Sequence, residues 1–329
     1  MDKLIRIDRL DREKAERDTL ALEATQSTES RGREIEEPPD PLRTAFERDR
    51  DRIVHCNAIR RLAHKTQVFM NPDDDHFVTR LTHTLQVSQV GRSMAVALGL
   101  NEALTEAICL GHDIGHSPFG HTGEDALSEL VDGEWLHSAQ SVRILSVLEP
   151  LNLSWETLDG IRAHSWKVDP GPGTPEGTLC RYADRIAYLA HDINDAIRAD
   201  VISYSDLPFR AQAVFGDNHS QWVATMIRAV IEGSLAVGDV VMDAEIADVM
   251  LELRDFMFAR VYLRPENEAH RRRAVEITHS LVKYYESHPH EIPDTYKIDD
   301  VGILIQAIDY VAGMTDRFAI RMFEAVATP

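Results

Sequence analysis

The densest group of chemically active side chains lies in residues 112–124, which read His-Asp-Ile-Gly-His-Ser-Pro-Phe-Gly-His-Thr-Gly-Glu. A folded core gains nothing from this mixture, because burying imidazoles and carboxylates costs free energy unless they are paired or bound to a metal. His112 and Asp113 offer neighbouring nitrogen and oxygen donors, which suit ions such as zinc, manganese, iron or magnesium. The segment therefore predicts an active site.

Two further stretches supply residues of the same kinds. His83 lies in a predicted helix over 78–98, where a single histidine is more often structural than a metal ligand. On the predicted helix over 179–200, Asp184, Tyr188, Asp192 and Asp195 follow one another at spacings of four, four and three and share one face. A solvated surface would also produce such a stripe, but like charges at this spacing repel one another. A nearby cation would remove that cost, so the stripe favours a binding site.

The elements that must position these residues are helical almost throughout. Apolar side chains recur at helical spacing and alternating strand patterns are nearly absent, so the predicted fold is all-α. Asn101 is the expected N-cap of one helix, and Thr122 begins an expected capping box for another that runs through Leu130. The other predicted helices cover 44–64, 78–98, 138–149, 154–166, 179–200, 220–258, 265–288 and 298–326. Proline and glycine predict loops at 167–178 and 287–293.

Composition divides the chain into three segments. Residues 1–41 are highly charged and predict a mobile or partly helical N-terminal arm. Residues 42–200 carry the candidate site and form the predicted core. Residues 201–329 predict C-terminal helices that pack on this core within the same compact domain.

The net charge and the cysteine content limit the classes of partner and the cellular compartment that we expect for this chain. The 35 basic and 55 acidic side chains give a formal net charge of −20, which disfavours binding to single-stranded DNA unless a local basic groove forms. The three cysteines are odd in number and far apart, which fits a reducing cytoplasm. We expect no signal peptide and no membrane partner, because no apolar run reaches about 18 residues.

The order His…His-Asp…Asp resembles that of the HD superfamily of metal-dependent phosphohydrolases. The longer match resembles deoxynucleoside triphosphate triphosphohydrolases of the dGTPase-like kind. It rests on Arg48-Asp-Arg-Asp-Arg-Ile, on Arg60-Arg-Leu and Lys65-Thr-Gln-Val-Phe69, on Arg80-Leu-Thr-His83-Thr, on residues 112–124, on His137-Ser-Ala-Gln-Ser-Val-Arg-Ile-Leu145 and on Ala183-Asp-Arg-Ile-Ala-Tyr-Leu-Ala-His-Asp192. It continues weakly to Asp309-Tyr-Val-Ala-Gly-Met-Thr-Asp-Arg-Phe318. The resemblance implies an HD-domain helical phosphohydrolase fold, with 42–200 as the catalytic core.

The resemblance also implies roles for individual residues. One divalent metal would be held by His83, His112, Asp113 and Asp184; manganese, magnesium, iron, cobalt and zinc remain open, with manganese or magnesium favoured. His121 and Glu124 would act at the scissile phosphate, a carboxylate and an imidazole that together can handle a proton. The alternative is a glutamate favoured by a helix N-terminus beside a surface histidine.

An acidic chain that binds a triphosphate must supply cations locally. The predicted phosphate contacts are Arg80, His137 and Arg185, whereas His116 either orients a metal ligand or touches phosphate. By resemblance Tyr188 stacks on the sugar, Asp192 accepts from its 3′-hydroxyl, and Gln67 approaches the nucleoside. Arg60, Arg61 and Lys65 are further candidates for phosphate contacts, but we favour their interpretation as a solvated or interfacial helix face. The remaining histidines are interpreted as structural or surface residues, with His164 the one of most interest.

The predicted reaction is cleavage of a deoxynucleoside triphosphate to deoxynucleoside and tripolyphosphate. The alternatives are an HD phosphohydrolase that acts on nucleoside monophosphates or cyclic nucleotides, and a nucleotide-sensing or single-stranded DNA-binding regulator. Resemblance further implies a homo-oligomer, a hexamer or tetramer, and in some relatives activation by a second nucleotide or by DNA. Base preference is not readable from the sequence.

Overall fold

The computed structural model describes residues 4–67, 77–216 and 218–327. Within these ranges the chain is all-α, as predicted, and its only β features are two isolated bridges. The helices are α1 Arg9–Thr19, α2 Ala45–His55, α3 Asn57–Arg61, α4 Arg80–Leu98, α5 Glu102–Gly111, α6 Gly120–Ser128, α7 His137–Arg143, α8 Trp155–Ala163, α9 Pro175–Arg198, α10 Phe209–Phe215, α11 His219–Val237, α12 Ala244–Met257, α13 Glu268–Ser287, α14 Ile303–Ala312 and α15 Asp316–Ala327. None of these helices combines the length and apolar character needed to cross a membrane.

Local sequence explains where the site-bearing helices begin. Thr79 caps α4 with a capping box, and the Asn101 side chain accepts the Leu104 amide at the start of α5, which confirms the predicted cap. Thr174 caps α9, and Pro175 occupies its first turn, where its missing N–H costs no hydrogen bond. These caps fix the start of each helix that carries a predicted metal ligand.

The first hydrophobic core lies where α4, α5 and α9 cross. A Cβ added at Gly91 would lie 2.8 Å from Cys109 Sγ and 3.6 Å from Ala183 Cβ, so only small residues fit at this crossing. Gly91 lies two turns beyond His83 on α4, while Ala183 precedes Asp184 on α9. The close approach of the three helices therefore brings their histidine and aspartate side chains together.

A second hydrophobic core joins the C-terminal helices to the loop region of the site. It includes Leu127 of α6, Leu281 of α13 and Val311 of α14, all fully buried. The predicted helix over 220–258 is divided into α11 and α12, and the one over 298–326 into α14 and α15. The C-terminal helices thus support α6 from behind.

The N-terminal segment, predicted as a mobile or partly helical arm, contains helix α1 and makes several contacts with the core. The Glu176 carboxylate accepts from the amide and hydroxyl of Thr25, at 3.0 and 2.7 Å, and Glu156 accepts from Ser30 and Arg31. The Arg33 guanidinium pairs with fully buried Asp49. Acceptors more than a hundred residues along the chain thus bind Thr25, Ser30 and Arg31, and sequence alone does not pair them.

The predicted start of α6 is wrong by three residues. The helix begins at Gly120 rather than after Thr122, because Phe119 and Gly120 both adopt left-handed backbone angles, φ 64° and 60°, and turn the chain earlier. The Phe119 amide donates to an Asp316 oxygen at 3.0 Å, which fixes this turn from the C-terminal region. Residues 121 and 124 consequently lie inside the first turns of α6.

Candidate metal centre and active site

Three of the four predicted metal ligands converge on one point. His83 Nε2 lies 3.1 Å and His112 Nε2 3.7 Å from Asp184 Oδ1, and one donor atom from each residue falls within 4.8 Å of the others. The fourth, Asp113, places Oδ1 3.8 Å from His112 Nε2. The Asp184 side chain is 23 % exposed whereas the His112 side chain is 1 % exposed, so the cluster is open on the Asp184 side.

The hydrogen bonding of the His112 ring leaves its Nε2 available as a metal ligand. Its Nδ1 lies 2.6 Å from the Cys109 carbonyl and must donate there, which leaves a lone pair on Nε2. That Nε2 is buried and has no hydrogen-bond partner among the described residues. Burial also lowers the pKa of His112, which favours the neutral, ligating form. A divalent ion would satisfy this nitrogen, so the donor set fits a metal.

Acidic groups of the cluster stay ionised despite burial. Burial alone would raise the pKa of Asp184, but the His83 hydrogen bond and nearby imidazoles hold it below its ordinary value. The Asp113 carboxylate accepts from the Arg80 guanidinium at 2.9 Å, and this contact holds the pKa of Asp113 well below its usual range against the effect of burial. Both carboxylates therefore carry negative charge at neutral pH, as metal ligands must.

A second cluster, formed by His121, Glu124 and His137, lies beside the first. The Glu124 carboxylate is 3.1 Å from His121 Nδ1 and 3.0 Å from His137 Nδ1, and it also accepts the His137 backbone amide at 2.9 Å. Glu124 is nearly buried, whereas the His121 side chain is 77 % exposed. Burial opposes ionisation of Glu124, but His137 and the hydrogen bonds outweigh it and lower its pKa strongly. The buried Glu124 carboxylate therefore orients the His121 ring, which is exposed to solvent.

His164 links the two clusters, although the sequence interpretation left it as a structural residue. Its Nδ1 lies 2.7 Å from the Ile161 carbonyl, which makes Nε2 an acceptor, and that Nε2 is 3.1 Å from His137 Nε2. Since His137 also bonds Glu124 through Nδ1, it must donate from both ring nitrogens and carry a proton on each. Burial lowers the pKa of His137, but Glu124 more than offsets this and raises it, which agrees with the geometry. The His164 ring also contacts that of His112, at 5.0 Å between centroids.

Predicted site residue His116 lies between the clusters. Its Nε2 is 3.3 Å from Asp113 Oδ1, and its ring stacks on that of His137 at 3.9 Å between centroids. Burial, followed by the charges of Arg80 and His137, lowers the pKa of His116 well below its ordinary value. This neutral ring separates the metal ligands from the Glu124 cluster.

Beyond Asp184, the predicted stripe continues along α9. Tyr188 is partly buried, and Asp192 is buried with its Oδ2 accepting the Tyr262 hydroxyl at 2.7 Å. Burial raises the pKa of Asp192 to about 7, even though the Tyr262 hydrogen bond lowers it. Sequence reasoning missed Tyr262, because it comes from a π turn after α12, seventy residues away, with no motif around it.

Comparison with known proteins agrees with this geometry. A family model described as HD domain matches residues 80–189, and one described as phosphohydrolase-associated domain matches residues 240–325. The chain is 44 % identical to a deoxyguanosinetriphosphate triphosphohydrolase-like protein of Caldanaerobacter subterraneus subsp. tengcongensis, over 96 % of this chain and 95 % of that protein. Proteins of the same name from Clostridium perfringens and Desulfatibacillum aliphaticivorans are 42 % and 41 % identical, each over 96 % of this chain and over 96 % and 97 % of their own lengths.

The chain belongs to the deoxyguanosinetriphosphate triphosphohydrolase-like family. Membership, together with the HD match, makes it a phosphohydrolase. The HD match spans the four predicted metal ligands and the Glu124 cluster, whereas Gln67 and Asp192 lie just outside it. The phosphohydrolase-associated match covers α13, α14 and α15, which support α6 through the second core.

Three predicted phosphate or nucleoside contacts have different surroundings within this family fold. Arg80 is buried and already paired with Asp113, with its Nε left without a partner among the described residues. Arg185 follows Asp184 and lies against an indole ring, with its Cζ 4.3 Å from the Trp166 centroid. Gln67 is partly buried next to the undescribed residues 68–76.

The interpretation of Lys65 as a solvated or interfacial residue is wrong. Its side chain is buried, and Nζ donates to the His116 carbonyl and, at 2.9 Å, to the Ala312 carbonyl at the end of α14. Burial, with the charge of Arg61, lowers its pKa well below the ordinary value. Lys65 therefore connects the histidine-rich loop to the C-terminal helices, a long-range role that no local pattern reveals.

Proposed function

We propose that the chain hydrolyses deoxynucleoside triphosphates to deoxynucleoside and inorganic tripolyphosphate. The observation that carries the proposal is the row of three adjoining groups: the metal-ligand cluster, the Glu124 cluster and the Tyr188–Asp192 stripe. The first suits a phosphate, the second a proton transfer and the third a sugar. Names of the full-length relatives, which include deoxyguanosinetriphosphate triphosphohydrolase-like proteins, support this substrate class.

His83, His112, Asp113 and Asp184 would hold one divalent ion. When bound, such an ion polarises a phosphoryl oxygen and makes a bound water more acidic. The unpartnered His112 Nε2 supports this assignment, because its other ring nitrogen is already committed to the Cys109 carbonyl. Two imidazoles and two carboxylates do not select one metal, and manganese or magnesium remains the expected ion.

The Glu124 cluster would handle the proton. Glu124 fixes His121 through Nδ1, so the His121 Nε2 is free to face the attacking water or the departing 5′-oxygen. His137, held on the other side of the same carboxylate, would contribute positive charge for a phosphate oxygen. Arg80, His116 and Arg185 would complete the charge that a triphosphate requires.

The α9 stripe would recognise the deoxynucleoside. Tyr188 lies one helical turn beyond Asp184, so its ring would pack on the sugar of a nucleotide whose phosphates lie beside Asp184. Asp192 lies one turn further and would exchange hydrogen bonds with a 3′-hydroxyl beside Tyr262. Gln67 would approach the nucleoside from the segment before α4. A ring packed on the deoxyribose would exclude a 2′-hydroxyl.

The decisive experiment identifies the products. The protein is incubated with dGTP, dATP, dCTP and dTTP in turn with Mn²⁺ or Mg²⁺, and the products are separated by ion-exchange chromatography. We expect intact tripolyphosphate and deoxynucleoside in equal amounts. Release of dGMP with pyrophosphate, or of dGDP with phosphate, would refute the reaction. Deoxynucleoside monophosphates and cyclic nucleotides belong in the same panel, and turnover of these alone would establish the alternative phosphohydrolase.

The expected assembly, a hexamer or tetramer, stays a prediction. Sedimentation velocity with and without dNTP would measure it. A gel-shift titration with single-stranded DNA at several salt concentrations would test the regulator alternative, which the net charge of −20 disfavours.

A further inference from the structure

Among the described residues, Arg185 is the predicted phosphate contact without an acidic partner, and a tryptophan ring packs against its guanidinium. Trp166 belongs to the loop between α8 and α9, and its side chain is 43 % exposed. The Arg185 Cζ lies 4.3 Å from the centre of the indole ring, within the distance at which a guanidinium is attracted by an aromatic face. Arg185 directly follows the candidate metal ligand Asp184 on α9.

The position of the indole is fixed by the preceding turn of α9. Arg181 donates from Nε to the Ala163 carbonyl at 2.7 Å and from one terminal nitrogen to the Ser165 and Val168 carbonyls at 3.2 and 2.9 Å. The Trp166 Nε1 donates back to the Arg181 carbonyl at 3.3 Å. Tyr182 meets the indole edge-on at 5.3 Å between centroids. The loop therefore presents a fixed ring face to Arg185.

The surroundings of Arg185 differ from those of a structural arginine. No carboxylate in the described part of the chain lies within ion-pair distance of its guanidinium, and its Nε is buried without a hydrogen-bond partner. Arg80, by contrast, is paired with Asp113 at 2.9 Å. A carboxylate partner would occupy the N–H donors and neutralise the charge, whereas an aromatic face orients the group and leaves its donors free.

We propose that Trp166 is a positioning residue that holds the Arg185 guanidinium ready for the oxygens of a polyphosphate chain. The inference rests on the proposed function for the identity of the ligand, and it extends that function to a residue outside the phosphate contacts predicted from sequence. Trp166 itself touches no reacting atom. Its effect is to reduce the rotamer freedom that Arg185 would otherwise lose on binding phosphate.

The test measures binding of inorganic tripolyphosphate by isothermal titration calorimetry, with Mn²⁺ present, in the full-length protein. Trp166→Leu keeps apolar bulk but removes the ring face, and we expect the dissociation constant to rise about 5-fold. Trp166→Phe retains a ring and should recover most of the affinity. Trp155→Leu is the matched control, because its indole stacks on Arg31 at 3.7 Å and packs beside the same loop at Gly173, yet does not contact Arg185.

A double-mutant cycle separates positioning from a general effect on the loop. In the Arg185→Met background, Trp166→Leu should cause no further loss of tripolyphosphate affinity. With dNTP as substrate, the single variant should raise KM by a similar factor while kcat changes less than 2-fold. An equal loss in the Arg185→Met background would overturn the inference, and so would wild-type affinity in Trp166→Leu.

The readout distinguishes this inference from the proposed reaction. Tripolyphosphate binding does not require hydrolysis, so a 5-fold loss in Trp166→Leu would support the positioning role even if dNTPs were not cleaved. Conversely, normal release of tripolyphosphate with unchanged affinity in Trp166→Leu would overturn the positioning role alone. Thermal denaturation of each variant checks folding, and Trp166→Gln provides a second substitution of the partly exposed ring.

Discussion

Two histidine–carboxylate clusters lie side by side in this protein and are built from the same residue types. Their hydrogen bonding suits one to a divalent metal ion and the other to a proton. In the cluster on α4, α5 and α9, the His112 ring donates to a backbone carbonyl and leaves a bare lone pair. In the cluster on α6 and α7, two rings direct Nδ1 to Glu124, and His137 also bonds His164. The partner of the second ring nitrogen decides whether an imidazole offers a lone pair or a proton.

The largest expected effect comes from the metal-ligand cluster. Asp184→Asn keeps the shape of the side chain but removes the charge, and we expect hydrolysis to fall at least about 10³-fold because the divalent ion is lost. The rate with Mn²⁺ and bound manganese by elemental analysis are the measurements. Asp113→Ala should also abolish turnover, but it strands the buried Arg80 guanidinium and would cost about 3–5 kcal/mol of stability. Wild-type turnover in Asp184→Asn would remove this residue from the centre.

A change in the second cluster should separate chemistry from metal binding. Glu124→Gln preserves the size of the side chain but weakens its hold on both imidazoles, so we expect kcat to fall about 10²- to 10⁴-fold. Bound manganese should remain at the wild-type level, which is the contrast with Asp184→Asn. If this variant lost metal and activity together, the two clusters would be one functional unit.

Metal addition should stabilise the folded protein through the first cluster only. At a free Mn²⁺ concentration 100 times the dissociation constant, the free energy of unfolding should rise by about 2.7 kcal/mol. Differential scanning fluorimetry with Mn²⁺, then with excess EDTA, measures the change and its reversal. His112→Ala should lose this stabilisation whereas Glu124→Gln keeps it. An equal shift in His112→Ala would place the ion elsewhere.

The smallest expected effect concerns Asp192, which belongs to neither cluster. Its pKa of about 7 is above its ordinary value of 3.8, so ionisation opposes folding. The stability that the neutral carboxyl contributes is complete below about pH 4 and is lost as the pH rises to about 7. The Asp192→Asn side chain stays neutral, so the free energy of unfolding of this variant relative to wild type should be roughly 2.5 kcal/mol more favourable at pH 8 than at pH 5. Urea denaturation at both pH values tests this, and a pH-independent difference would contradict it.

The helical fold could be predicted from sequence because it is encoded locally, whereas the set of four candidate metal ligands came from the family resemblance. Apolar spacing and caps such as Asn101 predict the helices. The His112-Asp113 pair can be recognised because residues 112–124 are rich in histidine and acidic residues. Errors occurred where a distant residue decides the local conformation. Asp316 fixes the turn at Phe119 from the second core, and the Ala312 carbonyl at the end of α14 accepts from the buried Lys65.

The sequence by itself determined an all-α chain and three stretches with candidate metal ligands, since residue type and periodicity are properties of short segments. Tertiary structure alone decided which ring nitrogen of each imidazole is protonated. It also decided which arginine has no carboxylate partner among the described residues. Those properties depend on partners far along the chain: Tyr262 on Asp192, His164 on His137, and Trp166 rather than a carboxylate on Arg185. Hydrogen bonds and ring contacts act over a few ångströms, so only the packed helices bring these pairs within reach.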